Sequence, residues 1–128
     1  MKNRIVQNGI FPEDYNKEDF LTFTLDGTEI RTKAEFFESI EKSMKFPGTC
    51  KCMFSRLEDW MRDLSWFPKD RGICIVITGS ESFLSGDPAF RKDLKESFEE
   101  TILPFWEDEV LTTVKGGVTR RFYVVMKQ

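Results

Sequence analysis

The chain contains no histidine, which removes the most common general base of enzymes. Without histidine, neither a Ser-His nor a Cys-His nucleophile pair can form. Three cysteines are too few for a four-ligand structural zinc site, and the sequence has no Gly-rich phosphate-binding motif. Paired carboxylates remain, but none stands at the predicted strand ends in a way that indicates a cleft. We therefore expect neither an enzyme nor a bound metal or cofactor.

Long apolar runs are also absent. No stretch reaches the roughly eighteen consecutive apolar residues of a membrane span, and the first residues lack the apolar core of a signal peptide. The number of cysteines is odd, which fits a reducing compartment better than a set of disulfides. These absences predict an intracellular, cytoplasmic protein that has no membrane partner.

The residues that are present suit one folded domain with an uneven charge distribution. The 128 residues are 40% hydrophobic, and 13 Phe and 3 Trp supply large side chains for a core. The net charge is only −3, yet residues 87–110 carry eight acidic and three basic residues, a local net charge of −5. Such a segment favours a basic partner over nucleic acid. A solvated helix face has the same composition and is the simpler interpretation.

Apolar patterns predict strands that alternate with helices. Residues 20–25 and 121–126 are rich in strand-forming residues, and the continuous apolar run 73–78 is typical of a strand buried on both faces of a parallel sheet. Thr32 and Glu35 have the spacing of a capping box, and an apolar helical stripe follows them. The order of elements predicts an α/β fold with a small, mostly parallel sheet of about three strands flanked by helices.

The second half of the chain carries further boundary signals. Asp87-Pro88 predicts the start of a helix, and Pro104 predicts its end. Gly116-Gly117 predicts a hairpin between strand-like runs at 110–114 and 119–126.

Two weaker signals lie near the N-terminus. Asp26-Gly27 is a turn signal that could open a small hairpin returning through Glu29-Ile30. Residues 1–19 are polar, and we interpret them as an extension or short added element in front of a domain at 20–128.

Residues 47–66 carry the clearest functional pattern. An apolar stripe predicts an amphipathic helix, and Ser55, Asp59 and Asp63 share a face beside that stripe. The stripe consists of Met53, Phe54, Leu57, Trp60, Met61 and Leu64. Two starts are possible: Ser55 is the N-cap of a second capping box with Glu58, or the helix starts near Lys51 and Ser55 is exposed. Either way, Asp59 faces outward.

This segment resembles the barstar family of intracellular ribonuclease inhibitors. The resemblance covers roughly residues 20–127, and the close residue matches are confined to 47–66. The matching residues are Pro47, Phe54, Leu57, Asp59, Met61, Arg62, Asp63, Leu64, Ser65 and Trp66. The resemblance implies a barstar-like fold for residues 20–128. It also implies that Asp59 enters the active site of a basic ribonuclease, where a carboxylate on a helix imitates RNA phosphate.

The resemblance extends less well to the loop before this helix. Family members commonly have aromatic residues where Thr49 and Cys50 stand, Gly at Lys51, Asn at Met53 and often a second Asp at Ser55. A second acid of the family comes from the later helix, where Glu96, Glu99 and Glu100 are candidates without a residue-by-residue match. The expected partner-binding residues are Asp59, Ser55, Thr49, Cys50, Lys51 and Asp63.

Two classes of partner follow from these features. The first is a secreted-type ribonuclease or another toxin, which the chain would block as an inhibitor or immunity protein. The second is a non-ribonuclease partner bound by an interaction module on the same fold, which the altered loop favours. The basic segment 115–128 raises nucleic-acid binding as a third hypothesis, but a solvated hairpin explains its charges more simply, so we expect no nucleic-acid partner.

Overall fold

The computed structural model describes residues 2–128. Its elements, in chain order, are β1 Arg4–Val6, β2 Phe20–Asp26, α1 Lys33–Ser43, α2 Phe54–Met61, β3 Gly72–Thr78, α3 Pro88–Ser97, π-helical turns at Phe98–Ile102 and Phe105–Glu109, α4 Val110–Thr113 and β4 Phe122–Met126. No helix in the described part of the chain is both long and apolar enough to cross a membrane.

The four strands form one sheet in the order β1-β4-β3-β2, and every neighbouring pair is parallel. Strand β3 pairs along its whole length with β2, and Ile73 to Ile77 also pair with Phe122 to Met126 of β4. All seven residues of β3 except Thr78 are buried. The predicted α/β fold is therefore confirmed, with four strands, all parallel, in place of about three.

Alternate residues of the central strands pack into two separate cores, because successive side chains of a strand point to opposite faces. The helices cover the face that carries Ile73, Ile75 and Ile77, and the main core forms there. Cys74 and Val76 point to the other face, where they join a smaller core.

The segment between β1 and β2 covers the face of the sheet that the helices leave open. Phe11 stacks on Tyr15 with ring centroids 4.6 Å apart, and Tyr15 in turn lies 5.2 Å from Phe20. Both Phe11 and Tyr15 pack against the smaller core. Residues before position 20 thus contribute to both the sheet and its second hydrophobic layer.

Predicted helix starts are confirmed at two places. Thr32 and Glu35 form the capping box: the Glu35 backbone N–H donates to the Thr32 hydroxyl, and the Glu35 carboxylate accepts from the Thr32 backbone. At α3, the Asp87 side chain accepts from the Phe90 N–H at 3.1 Å, and Pro88 occupies the first helical position. Each cap satisfies a backbone donor that has no partner within its helix.

The predicted hairpin through Glu29-Ile30 is wrong. The chain does turn after Asp26, whose carboxylate accepts from the Thr28 backbone and hydroxyl. However, Ile30 is buried in the main core, and its carbonyl accepts from the Leu84 N–H at 2.7 Å. Burial of this side chain draws residues 29–30 away from the edge of β2.

The predicted hairpin around Gly116-Gly117 is also wrong, since residues 110–113 are helical. Strand β4 already has parallel partners on both sides, β1 and β3, so it offers no edge to an antiparallel strand.

The expectation that Pro104 ends the helix is also wrong, for a different reason. A π-helical turn precedes it, with the Leu103 N–H bonded to the carbonyl of Phe98, five residues earlier. This wider turn accommodates a proline that would clash in a regular α-helix.

Strand β1 had no strong sequence signal, because it is three residues long and lies in a polar segment. Asn3 fixes its start. The buried Asn3 side-chain amide donates to the carbonyls of Leu103 and Arg120, and its oxygen accepts from the Phe122 N–H at 2.8 Å. Hydrogen bonding by one side chain thus sets where the chain enters the sheet.

Asp14 ties the covering segment to β4. Its carboxylate accepts from the Tyr123 hydroxyl at 2.8 and 3.0 Å and forms an ion pair with Arg121 at 3.3 Å. Burial acts to raise the pKa of Asp14, but the hydrogen bonds from Tyr123 and Arg121 prevail and hold the pKa below its ordinary value of 3.8. Ionised Asp14 therefore stabilises the contact between the two segments.

Asp14→Asn is expected to lower the free energy of unfolding by about 1 kcal/mol at neutral pH, because the Tyr123 bond loses its charged acceptor. The folded pKa is depressed, so the wild-type contribution is present above about pH 4 and disappears as the pH falls through the folded pKa. Urea unfolding at a series of pH values measures this, and the variant should show a shallower loss on acidification. Exposed Glu13→Gln is the control; an Asp14→Asn variant with the full wild-type pH dependence would contradict the assignment.

Candidate partner-binding surface

The candidate surface comprises residues 47–66, here called the loop–helix surface, and its inner side is anchored in the core. Leu57, Met61 and Leu64 are fully buried. Two indole N–H groups hold the end of α2 and the turn after it: Trp106 donates to the Met61 carbonyl at 2.7 Å, and Trp66 donates to the Met44 carbonyl at 2.9 Å. The C-terminal end of α2 and the turn that follows it are therefore fixed to the rest of the chain.

Helix α2 begins at Phe54, with Met53 as an N-cap that makes no side-chain hydrogen bond. Of the two possible starts, the capping box at Ser55 is wrong; the helix begins three residues after Lys51, and Ser55 lies exposed in its first turn, as the second alternative had it. Glu58 is engaged elsewhere, because its carboxylate accepts from the Ser97 hydroxyl of α3 at 2.7 Å. The Glu58 side chain, which the local pattern assigned to the start of α2, therefore bonds to a residue of another helix.

Glu41 of α1 anchors the loop before α2. Its carboxylate accepts from the Cys50 backbone N–H at 2.9 Å and from the Thr49 hydroxyl at 3.5 Å. The Thr49 oxygen in turn accepts from the Lys51 N–H at 3.1 Å. Lys51 and Cys52 have φ angles of 50° and 55°, in the left-handed region that non-glycine residues seldom adopt. The anchor and the two unusual conformations together define the shape of the loop.

Cys50 points inward and is fully buried. Burial raises the pKa of its thiol to about 12, and the negative charge of Glu41 acts in the same direction. The thiol is therefore protonated at neutral pH, and Cys50, one of the six expected partner-binding residues, does not present its side chain at the surface. Any effect of Cys50 on a partner passes through the loop backbone, whereas Cys52 remains half-buried.

Asp59 is exposed on the loop–helix surface, with 73% of its side chain accessible. Its carboxylate lies 3.2 Å from the guanidinium of Arg62, one turn later on the helix. Asp63 is also exposed, and its carboxylate accepts from the Ser65 N–H at 3.2 Å. Both carboxylates line an open depression together with Thr49 and Arg56. Asp59 therefore stands among charges of both signs.

The structure brings together three of the six predicted residues, because Thr49, Asp59 and Asp63 line this same depression. Lys51 and Ser55 are exposed beside it, on the loop and on the first turn of α2. Only Cys50 is withdrawn from the surface.

A second acidic group lies across the groove between α2 and α3. Glu58, Asp93, Glu96 and Glu100 line a shallow depression next to Phe54. Glu96 and Glu100 were candidates from the sequence, whereas Glu99 does not line this groove. The spacing of 93, 96 and 100 along one helix was a usable signal for a shared face. Glu58 also lines this groove, where it accepts a hydrogen bond from Ser97 that no local sequence pattern reveals.

Two of the basic side chains in residues 115–128 bind groups within the chain. Arg120 is buried, and its guanidinium donates to the carbonyls of Pro68 and Arg71. Arg121 pairs with Asp14.

Across residues 2–128, no group of three or more Cys, Asp or Glu residues is placed to hold a metal ion.

Comparison with known proteins identifies a family. The model of the family described as Barstar (barnase inhibitor) matches residues 20–115, three quarters of the chain. Comparisons with curated proteins and with solved structures give no significant match.

Glu41→Ala is expected to loosen the loop, because the Cys50 N–H loses its acceptor. The free energy of unfolding should fall by about 1–2 kcal/mol, and amide hydrogen exchange at residues 50–52 should become faster. Glu38→Ala is the matched control, since Glu38 lies exposed on the same helix. Unchanged exchange at residues 50–52 in the Glu41 variant would show that the loop is held by other contacts.

Proposed function

Because this chain belongs to the barstar family, we propose that it is an inhibitor or immunity protein that binds a basic ribonuclease through the loop–helix surface. In this proposal the chain has no catalytic activity of its own and needs no cofactor. It acts by occupying the active site of its partner. The three free cysteines support a reducing, cytoplasmic location for this role.

The observation that carries the proposal is the placement of Asp59. Its carboxylate is largely exposed, while the opposite side of the same helix is fully buried at Leu57 and Met61. A ribonuclease builds a basic pocket to hold phosphate, and a carboxylate on a fixed helix supplies both the charge and the hydrogen-bond acceptors of that phosphate. Little conformational entropy is lost on binding, because the helix already holds the group in place.

We also propose a role for the acidic groove between α2 and α3, which shares no lining residue with the depression around Asp59. Glu96 and Glu100 supply carboxylates from the later helix, and Glu58 is held at the groove by Ser97. We propose that these groups attract a basic partner and speed its approach, an effect that added salt should weaken. Thr49, Lys51, Ser55 and Asp63 would form the perimeter, and Cys50 would act only by shaping the loop.

We further propose that residues 1–19 are an addition to a barstar-like domain at 20–128. The family match begins at residue 20, and the preceding residues supply strand β1 and the cover over the second face of the sheet. In this proposal the addition stabilises the sheet and stays away from the partner.

A second candidate function is an interaction module with a partner that is not a ribonuclease. The observation that favours it is the mixed charge around Asp59. Arg56 lines the same depression, Arg62 pairs with Asp59, and Lys51 is exposed on the loop. Cations at these positions would repel the basic rim of a ribonuclease.

The leading proposal predicts that the purified protein inhibits at least one member of a panel of small secreted ribonucleases. Asp59→Ala should weaken that inhibition by about 2 kcal/mol or more, roughly a thirtyfold rise in Kd, mainly through faster dissociation. Surface plasmon resonance and RNA-cleavage assays measure this, and circular dichroism checks the fold. Exposed Glu18→Ala is the control for loss of one negative charge.

Equal inhibition by Asp59→Ala would remove Asp59 from its proposed role. If well-folded wild type inhibits no ribonuclease of the panel, the second candidate gains support. Affinity capture from the native cell, with wild type and Asp59→Ala as parallel baits, then identifies a partner that depends on this helix.

Arg62→Gln is expected to strengthen binding to a basic partner, because it frees the Asp59 carboxylate from its neighbour and makes the surface more negative. The association rate at low salt should rise by a few-fold, and the difference should shrink at high salt. Stopped-flow association at two ionic strengths measures this, with Arg31→Gln, outside the loop–helix surface, as the control. A slower association in the Arg62 variant would indicate that Arg62 itself contacts the partner.

A further inference from the structure

A cavity of about 290 Å³ lies between α1, α3 and the helix-covered face of the sheet. Its walls are almost entirely apolar. They are formed by Phe36 and Ile40 from α1, Leu94 from α3, and Ile77 and Val124 from the central strands. No residue of the loop–helix surface lines it, so the cavity is separate from the proposed ribonuclease-binding face.

Strand β1 forms one side of this cavity. Ile5 lies on the edge strand, lines the cavity and is only partly buried, so the cavity is open to solvent on this side. The opening is bordered by Gln7, just after β1, and by the first turns of α3. An apolar molecule would reach the cavity from this side.

The border of the cavity carries positive charge. Arg91, Lys92 and Lys95 line it, and no Asp or Glu does. Arg91 is held in place, because its guanidinium donates to the carbonyls of Ser80 and Phe83 at 2.7 and 2.6 Å. Within residues 2–128 the only ion pairs join Arg62 to Asp59 and Arg121 to Asp14, so Lys92 and Lys95 have no acidic partner.

Charged residues of helix α3 line two different depressions. Its acids Asp93 and Glu96 line the groove shared with α2, whereas Lys92 and Lys95 line the apolar cavity. Glu96 and Glu99 follow Lys92 and Lys95 by one turn, yet neither lysine forms an ion pair with them. The two lysines are available to a negatively charged group that comes from outside the chain.

We propose that this cavity binds a medium-chain aliphatic carboxylate, with its chain among the apolar walls and its carboxylate beside Lys92 and Lys95. The apolar walls favour a hydrocarbon chain over a polar ligand. The volume is about twice that of a 150 Å³ core cavity known to hold benzene, which leaves room for a chain longer than one ring. Lysine ammonium groups supply charge-assisted hydrogen bonds to the carboxylate.

The probe is sodium decanoate, titrated into the full chain below its micelle concentration and followed by calorimetry and by methyl NMR. Saturable binding should produce NOEs between the decanoate chain and methyl groups of Ile5, Ile77 and Val124. Ile5→Phe should weaken binding severalfold, because the larger side chain narrows the opening that Ile5 borders. Leu21→Phe is its matched control, since Leu21 is a partly buried residue of edge strand β2 outside the cavity.

The charge assignment is tested with the double variant Lys92→Glu/Lys95→Glu. It should raise the Kd for decanoate about tenfold or more while leaving that for decan-1-ol nearly unchanged. Lys42→Glu/Lys45→Glu makes the same charge change on exposed residues outside the cavity and should have little effect.

Three results would overturn the proposal: no saturable binding to wild type, NOEs to methyl groups outside the cavity, or equal loss of decanoate and decan-1-ol affinity in the Lys92/Lys95 variant. The NMR measurement on wild type decides the location even if Ile5→Phe fails to fold.

Discussion

Strands β3 and β4 are the shared support of the whole molecule. Both are buried on two faces, and each is hydrogen-bonded to parallel neighbours on two sides. A parallel sheet needs apolar cover on both faces. The helices supply it on one face, and Phe11 and Tyr15 of the N-terminal segment supply it on the other. The helices that carry the candidate surface pack on this sheet through the main core.

Helix α2 shows how the core supports the proposed binding surface. Its inner side is fully buried, and the Trp106 indole fixes its last carbonyl, so the backbone beneath Asp59 has little freedom. Rigid presentation of one charge costs less on binding than ordering a loop. The adjoining loop achieves a similar result through Glu41, whose carboxylate holds Cys50 and Thr49. The exposed groups of the loop and of α2 are therefore held in place by contacts with Glu41 and Trp106.

Much of the fold was predictable from local patterns. The strand at 73–78, the capping box at Thr32 and the start of α3 at Asp87 each depend on neighbouring residues, and each is confirmed. Several of the errors originate in the tertiary structure. Glu58, Ile30 and residues 110–113 had plausible local partners, but contacts with distant residues or the lack of a free strand edge outweighed them.

The amino-acid sequence by itself determined the α/β class, the family match and the outward position of Asp59, because periodicity and capping act within a few residues along the chain. Only the tertiary structure decided that Cys50 is buried, that Glu58 joins the acidic groove and that α3 turns its lysines toward an apolar cavity. These features arise where separate elements meet. Their geometry is set by packing between residues far apart in sequence, which local periodicity does not encode.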